Sequence, residues 1–379
     1  MAIDWKKYFE TARKLKRLKA WDFFVDSDVF AVEHPETGKT FYVSLCGQEG
    51  EYKSLVIYPK IEDFLRVFKA ASHDDPDLGE FFMAQAVCST EQYQLCFEEK
   101  DLLEEEALAV LKESGCRFTG DYPVFNHHKP ASWPVLIDDE QVLGLYEIVA
   151  EVLPILLKNY KGTSISQYLE EAKVLSFQYK DEAWKPAVLA LETPAKAMKP
   201  LIVDPETMSS LKALPKDKRG HFYFNHALMM APSEENDQVI RQTVCALMDT
   251  GSSQLVAYDM VSPFPSYDAV CLEFPEVLAE LLVESGSLPA KLSVSDEALF
   301  AQVSMMLNGL AKVSLVPVRE EFIALWNDMN LSQSPESEDQ VSAVVEYCMQ
   351  HGIADPANMS EQEFTKMLVA LGDRFPSLD

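Results

Sequence analysis

The stretch VCALMDTGSSQLVAYDMV, Val244 to Val261, consists of two apolar, β-rich runs separated by small polar residues. Asp249, Thr250, Gly251, Ser252 and Ser253 suit a tight connection, because glycine accepts unusual backbone angles and short polar side chains bond back to the main chain. The pattern predicts two adjacent strands with Asp249 at the turn between them. Working outward, HFYFNHALMMA (221–231) reads as the preceding strand. FPEVLAELLVESG is a helix by its apolar stripe, AKLSVS a strand, DEALFAQVSMMLNGL a helix, KVSLVPV a strand and EEFIALWNDM a helix. Strands alternating with helices at this spacing imply right-handed crossovers and a partly parallel sheet.

Asp249-Thr250-Gly251-Ser252 also matches the active-site signature of aspartic proteases. That chemistry needs two facing carboxylates sharing one proton, since two like charges so close cannot both ionise. The chain has no second Asp-Thr/Ser-Gly; Glu113-Ser114-Gly115 and Glu284-Ser285-Gly286 carry the wrong acid at predicted helix ends. The turn explains the motif without proteolysis. The order β-β-β-α-β-α-β-α over His221–Met329 resembles the ribonuclease-H-like fold. That resemblance implies carboxylates gathered around a divalent metal, one in the middle of the first strand and one at the end of the fourth. Asp296 stands at the second position, where it also suits the N-cap of the next helix. Asn225 and His226 stand at the first, and neither is a carboxylate.

The N-terminal half reads as a separate unit. Trp5, Tyr8, Phe9, Ala12, Leu15 and Leu18 recur at helical spacing with basic residues between them. A basic amphipathic helix can bind membranes, but the acidic body of its own domain is the nearer partner. Val29–Glu33 and Thr40–Leu45 flank a Pro-Glu-Thr-Gly-Lys turn, and Tyr52–Pro59 is a third strand. IEDFLRVFKAAS is helical, YQLCFEE a strand, and LLEEEALAVLKESG a helix ended by Gly115. Residues 117–134 are aromatic, proline-rich and read as irregular. Asp138 and Asp139 open a long helix to about Lys158, and VLSFQYK and KPAVLALE read as paired strands.

Composition narrows the functions. A net charge of −28 repels phosphate backbones and anionic lipid, so neither nucleic acid nor a membrane surface is an expected partner. The seven cysteines are odd in number, lack Cys-x-x-Cys spacing and sit mostly in apolar runs. They argue for a reducing compartment, the cytoplasm, and against a zinc ribbon. No apolar run is long enough for a membrane span. There is no Walker loop, no Gly-x-Gly-x-x-Gly and no His-Glu-x-x-His, so no cofactor is expected. His127 and His128 are adjacent, and His221 and His226 fall on opposite faces of a strand; neither pair has metal-ligand spacing. Cys46 and His34 could form a thiolate–imidazole pair across the first hairpin, although a buried cysteine at a strand end is the simpler reading.

One segment attracts a functional reading. PVFNHHKPASWP (123–134) carries three prolines and reads as a loop, and loops held on rigid elements often bind. Phe125, Asn126, His127, His128, Lys129 and Trp133 offer aromatic area, hydrogen-bonding groups and positive charge. The competing reading is that Phe125 and Trp133 plug the interior.

Pro35, Glu36, Gly38, Gly47, Gly50 and Glu51, followed later by Arg117, Phe118, Gly120, Pro123 and Phe125, resemble motifs of a group of bacterial proteins of unknown function. The resemblance extends to SLPAKLSVSDEALFAQVSMMLNGLAKVSLVPV. Some relatives carry a SEC-C zinc module, whose cysteine pattern is missing here. The resemblance implies a shared fold and bacterial origin, with no activity to transfer. The fold expected is α/β (α+β): two mixed-sheet domains, the second ribonuclease-H-like in strand and helix order, and a short helical tail. The boundaries expected are 1–135 for the first domain, 136–215 for a helical and hairpin connection, 216–330 for the second domain and 338–379 for the tail. The function expected is non-catalytic binding of a protein or small ligand; the alternative is divalent-metal-dependent phosphoryl transfer on the second domain.

Overall fold

The computed structural model describes residues 3–48, 53–73, 75–191 and 200–332. The expected tail at 338–379 lies outside the described residues. The chain divides into two compact units. One is Met1–Leu201 with Glu234–Ile240 and Ser262–Glu273; the other is Ile202–Ser233 with Arg241–Val261 and Phe274–Asp379. Both are mixed α/β, as expected. Among the described residues no helix is long and apolar enough to cross a membrane.

The first unit runs α1 (Trp5–Leu18), β1 (Phe30–Glu33), β2 (Thr40–Cys46), β3 (Ser54–Tyr58), α2 (Ile61–Ala71), α3 (Pro76–Cys88), β4 (Gln92–Glu98), α4 (Glu105–Ser114), β5 (Tyr122–His128), β6 (Val135–Leu136), α5 (Glu140–Tyr160), α6 (Gln167–Glu170), β7 (Lys173–Lys180) and β8 (Ala183–Ala190). These strands form one sheet in the order β6-β5-β4-β3-β2-β1-β7-β8. Neighbours are antiparallel except β1 and β7, which run parallel with Phe30 opposite Leu175. The period of two divides the sheet into two faces. Phe30, Val32, Val43, Leu45, Leu55, Ile57, Leu95 and Phe125 enter a core with Tyr146, Val149 and Leu153 of α5. On the other face, Val29, Ala31, Val56 and Tyr58 pack with Ile61 and Phe64 of α2.

The basic helix docks on its own unit. Tyr8, Phe9, Ala12 and Leu15 of α1 are buried, while Lys7 reaches Glu147 of α5 at 2.7 Å and Lys16 reaches Asp121 at 2.9 Å. Such half-exposed ion pairs are worth about 1 kcal/mol at most, whereas each fully buried large apolar side chain contributes about 1.5–3 kcal/mol. Packing therefore holds the helix, and charge orients it.

Three features depart from the sequence reading. Residues 122–128, expected in an irregular loop, form β5 and pair with β4 along their whole length. Pro123 is tolerated because its partner Phe97 directs its own N–H the other way, to Lys53 O on the β3 side, at 3.2 Å. The Phe97–Pro123 pair is thus non-hydrogen-bonded, and the imide costs no ladder bond. Helix α3 is unassigned by sequence, for it has Gly79 and no apolar stripe to reveal its period. Residues 136–191, read as part of a connection, contribute α5, β7 and β8 to the first unit.

The second unit contains α7 (Pro205–Ala213), β9 (Lys216–Leu228), β12 (Thr243–Asp249), β13 (Leu255–Val261), β14 (Leu288–Val294), α9 (Glu297–Met306), β15 (Lys312–Leu315) and α10 (Glu320–Ser332). The short strands β10 (Ser233–Glu235) and β11 (Gln238–Ile240) pair with each other. Helix α8 (Tyr267–Glu284) begins well before Pro275, which sequence places in its first turn; Ser266 Oγ accepts the Ala269 N–H near its start. The five-stranded sheet has the order β13-β12-β9-β14-β15. β12 is antiparallel to both neighbours, and β9, β14 and β15 run parallel. Phe322 and Trp326 of α10 are buried, with Trp326 Nε1 donating to Leu228 O at 2.8 Å.

Asp28 fastens the parallel junction of the first sheet. It is 4% exposed, and its Oδ1 accepts from Ile165 N at 2.8 Å, Ser166 N at 3.0 Å and Ser164 Oγ at 3.2 Å. Oδ2 accepts from Val25 N at 3.2 Å. One carboxylate thus ties the entry of β1 to the turn that precedes α6 and β7. Hydrogen bonds to a buried charge are worth about 1.5–3 kcal/mol, and orphaned donors add a desolvation cost. Asp28→Ala is expected to lose about 3 kcal/mol in denaturant unfolding. A loss below about 1 kcal/mol would show that the carboxylate does not hold the junction.

Candidate functional site

A cavity of about 750 Å³ lies in the first unit on the α2–α3 side of the sheet. That is within the range of small-molecule sites. Its floor follows from strand periodicity. Ser44 and Cys46 of β2, Ser54, Val56 and Tyr58 of β3, Gln92 and Gln94 of β4 and His128 of β5 all line it. Cross-strand register assembles them: Cys46 lies opposite Ser54, Ser44 opposite Val56, Val56 opposite Gln94, and Gln92 opposite His128. Phe64, Val67 and Phe68 of α2 and Met83 and Val87 of α3 form one wall, and Val25, Asp26 and Ser27 another. Phe64 stacks on Phe68 with ring centroids 5.7 Å apart and meets Tyr58 edge-on.

This lining is close to uncharged. No lysine or arginine is among the described lining residues, and Asp26 is the one carboxylate. Burial pushes the Cys46 thiol above its ordinary value, partly opposed by its hydrogen-bonding contacts with Ser44 and Ser54. Burial likewise drives the Tyr58 phenol far above its ordinary value. Both groups are therefore neutral at neutral pH. The Ser44 hydroxyl donates to Asp26 O at 2.6 Å and sits 3.8 Å from Cys46 Sγ. The site offers amides, hydroxyls and aromatic faces, and no base–nucleophile hydrogen bond is formed among its described lining residues.

The six residues singled out in 123–134 separate in the structure. Phe125 is fully buried on the opposite face of the sheet, edge-on to Tyr146 at 5.1 Å. His127 shares that face; its Nε2 lies 3.3 Å from Glu91, and its ring sits 4.6 Å from Tyr93. The hydrogen bond from His127 holds the Glu91 carboxyl below its ordinary range, against burial. His128 lines the cavity. Asn126 points to the cavity side by strand parity, opposite Gln94. Lys129 is exposed, and the Trp133 N–H donates to Val239 O at 3.0 Å. The possible Cys46–His34 pair does not form. His34 Nδ1 accepts from Glu36 N and Thr37 N in the hairpin turn, at the far end of β2 from Cys46. Sequence reasoning passed over Ser44, Ser54, Gln92 and Gln94, although their alternation with apolar residues in TFYVSLC, SLVIY and QYQLCFE was a usable signal.

In the second unit, Asp249 ends β12 at the turn into β13, as its neighbours predicted. Its Oδ1 accepts from Gly251 N at 2.9 Å, Ser252 N at 2.8 Å and Ser252 Oγ at 3.0 Å. The Thr250 N–H and hydroxyl both reach His221 O. The carboxylate is a turn anchor. Asp296 caps α9 through Leu299 N at 2.6 Å, and Asn225 Oδ1 accepts from Ser295 Oγ at 2.8 Å. Among the described residues no three His, Cys, Asp or Glu side chains gather in a metal-binding group. A second pocket, about 580 Å³, sets Lys291 and Arg319 against Glu320 and Glu321 and so offers no net charge from these four.

The turn bonds lower the Asp249 pKa, chiefly through the Ser252 N–H. A carboxylate whose folded pKa is depressed contributes stability above its unfolded pKa of about 3.9 and loses it as pH falls through the folded value. An NMR titration is expected to place the Asp249 midpoint below that unfolded value, and Ser252→Gly is expected to raise it. A midpoint at or above it would remove the turn-anchor explanation.

None of the curated proteins matches the chain. Residues 5–176 do match a family, and the span takes in every residue of the cavity described above. Over those residues the chain is similar to the family described as Domain of unknown function (DUF7309).

Proposed function

We propose that this is a non-catalytic binding protein of the bacterial cytoplasm, and that its first unit takes a small, uncharged molecule into the cavity beneath α2 and α3. The observation that carries the reading is the row of polar side chains on a sheet face whose surroundings are apolar. Ser44, Ser54 and Gln92 are each at most 5% exposed at positions where valine or leucine would pack without a polar group to satisfy. Ser44 is satisfied by Asp26 O and Ser54 by Cys46, whereas the Gln92 amide bonds to no described residue. A buried polar group without a partner costs about 1–3 kcal/mol, so this amide beside a cavity of drug-like volume is the arrangement of a recognition site. None of the described cysteines is held in a disulfide, which supports a reducing compartment.

The sheet order of the second unit favours a second reading. Numbered within the sheet, its strands run 3-2-1-4-5 with the second antiparallel to its neighbours, which supports a ribonuclease-H-like fold there. Metal-dependent phosphoryl transfer would need, besides Asp296, a carboxylate in the first strand, where Asn225 instead accepts from Ser295 Oγ. Calorimetric titration with Mn²⁺ is therefore expected to give no saturable heat, and a heat abolished by Asp296→Ala would favour the catalytic reading.

For the binding reading, ligand-observed NMR of a neutral fragment set is expected to give hits with the full chain. Gln94→Trp, which pushes an indole into the cavity from a partly exposed floor position, is expected to abolish them with little change in thermal midpoint. Hits that persist in a folded Gln94→Trp protein would move the binding elsewhere.

A further inference from the structure

Resting on the binding reading above, we infer that the ligand is a flat, uncharged heterocycle with both donor and acceptor edges, a nucleobase or a ring of that kind. Three independent features of the cavity select this class. The first is charge. With no cationic side chain among the described lining residues, nothing there repays the dehydration of a phosphate or carboxylate. The overall charge of −28 opposes anions before they arrive.

The second is the pair Gln92 and Gln94. They lie on one face of β4, two residues and about 7 Å apart. Gln92 is 5% exposed, and among the described residues neither side-chain amide is engaged in a hydrogen bond. Each carboxamide carries a donor and an acceptor side by side. That is the complement of an amide or aminopyridine edge, the pairing by which glutamine reads adenine. Two such groups at this spacing bracket a ring bearing polar atoms on more than one edge.

The third is the aromatic wall. Phe64 and Phe68 are nearly parallel, at 17°, and the partly exposed Phe68 lines the cavity. Base–aromatic stacking tolerates any flat π-system. A sugar would use the amides without the stack, and an aliphatic guest would use the wall without the amides. A heterocycle uses both.

The test takes the full chain and measures, by calorimetry and saturation-transfer NMR, binding of adenine, cytosine and uracil, their nucleosides, their 5′-monophosphates and the neutral apolar dye Nile red. At least one base or nucleoside is expected to bind, with its monophosphate at least tenfold weaker. Gln92→Leu is expected to weaken that binding about tenfold and leave the dye in place, whereas Phe68→Ala weakens both. Gln94→Leu, at a less buried position, gives the same reading if Gln92→Leu does not fold. If the dye binds and Gln94→Trp expels it, but no base or nucleoside binds, the heterocycle inference fails while the cavity remains a binding site. The inference fails in the same way if monophosphates bind as tightly as bases, or if folded glutamine variants bind unchanged. If neither dye nor heterocycle binds, the inference and the binding reading both fall.

Discussion

The Asp28 carboxylate is the constraint on which the first unit depends. A sheet that is otherwise antiparallel must accept one parallel pair, β1 with β7, from strands far apart in sequence. Nothing local fixes that register. Asp28 does so by collecting the N–H groups of Ile165 and Ser166 just before α6 and β7, while its other oxygen takes Val25 N. The same bonds shape the turn whose residues Val25, Asp26 and Ser27 wall the cavity. Fold and site therefore share one anchor.

Above that anchor, the two faces of the sheet are built on different principles. The α1–α5 face is filled with large apolar and aromatic side chains, as a face selected for stability would be. The α2–α3 face interrupts its apolar cluster with hydroxyls and amides and leaves space between them. A face built this way gives up apolar packing that the opposite face keeps, and so adds less to the stability of the sheet.

Much of the fold was legible in sequence because its signals are local. The hairpin around Gly38, the Asp139 cap of α5, the apolar stripe of α1 and the strand–helix alternation after His221 each depend on a few neighbouring residues. Strand β5 was hidden because prolines argue against strands unless the side their nitrogen faces is known, and that is set by Phe97 and Lys53 on other strands. Helix α3 was hidden because nearly all of its faces are apolar. The site was the least legible part. His127 and His128 look like one feature in sequence, yet the pleat sends one to the core side and the other to the cavity. The glutamines and serines that surround His128 come from three other strands, so no short window contains the site.

The two ends of the eight-stranded sheet have a consequence for how the protein behaves in a crowded solution. An open sheet presents unsatisfied backbone groups at its edges, a template on which another chain can add a strand. Here one edge is β6, only two residues long. The other is β8, AWKPAVLA, where Lys185 and Pro186 interrupt the middle of the strand with a charge and a missing N–H. A neighbouring copy that tried to extend the sheet would find too little ladder at one end and a broken one at the other. The first unit can thus keep a wide, partly polar sheet without becoming a seed for filaments.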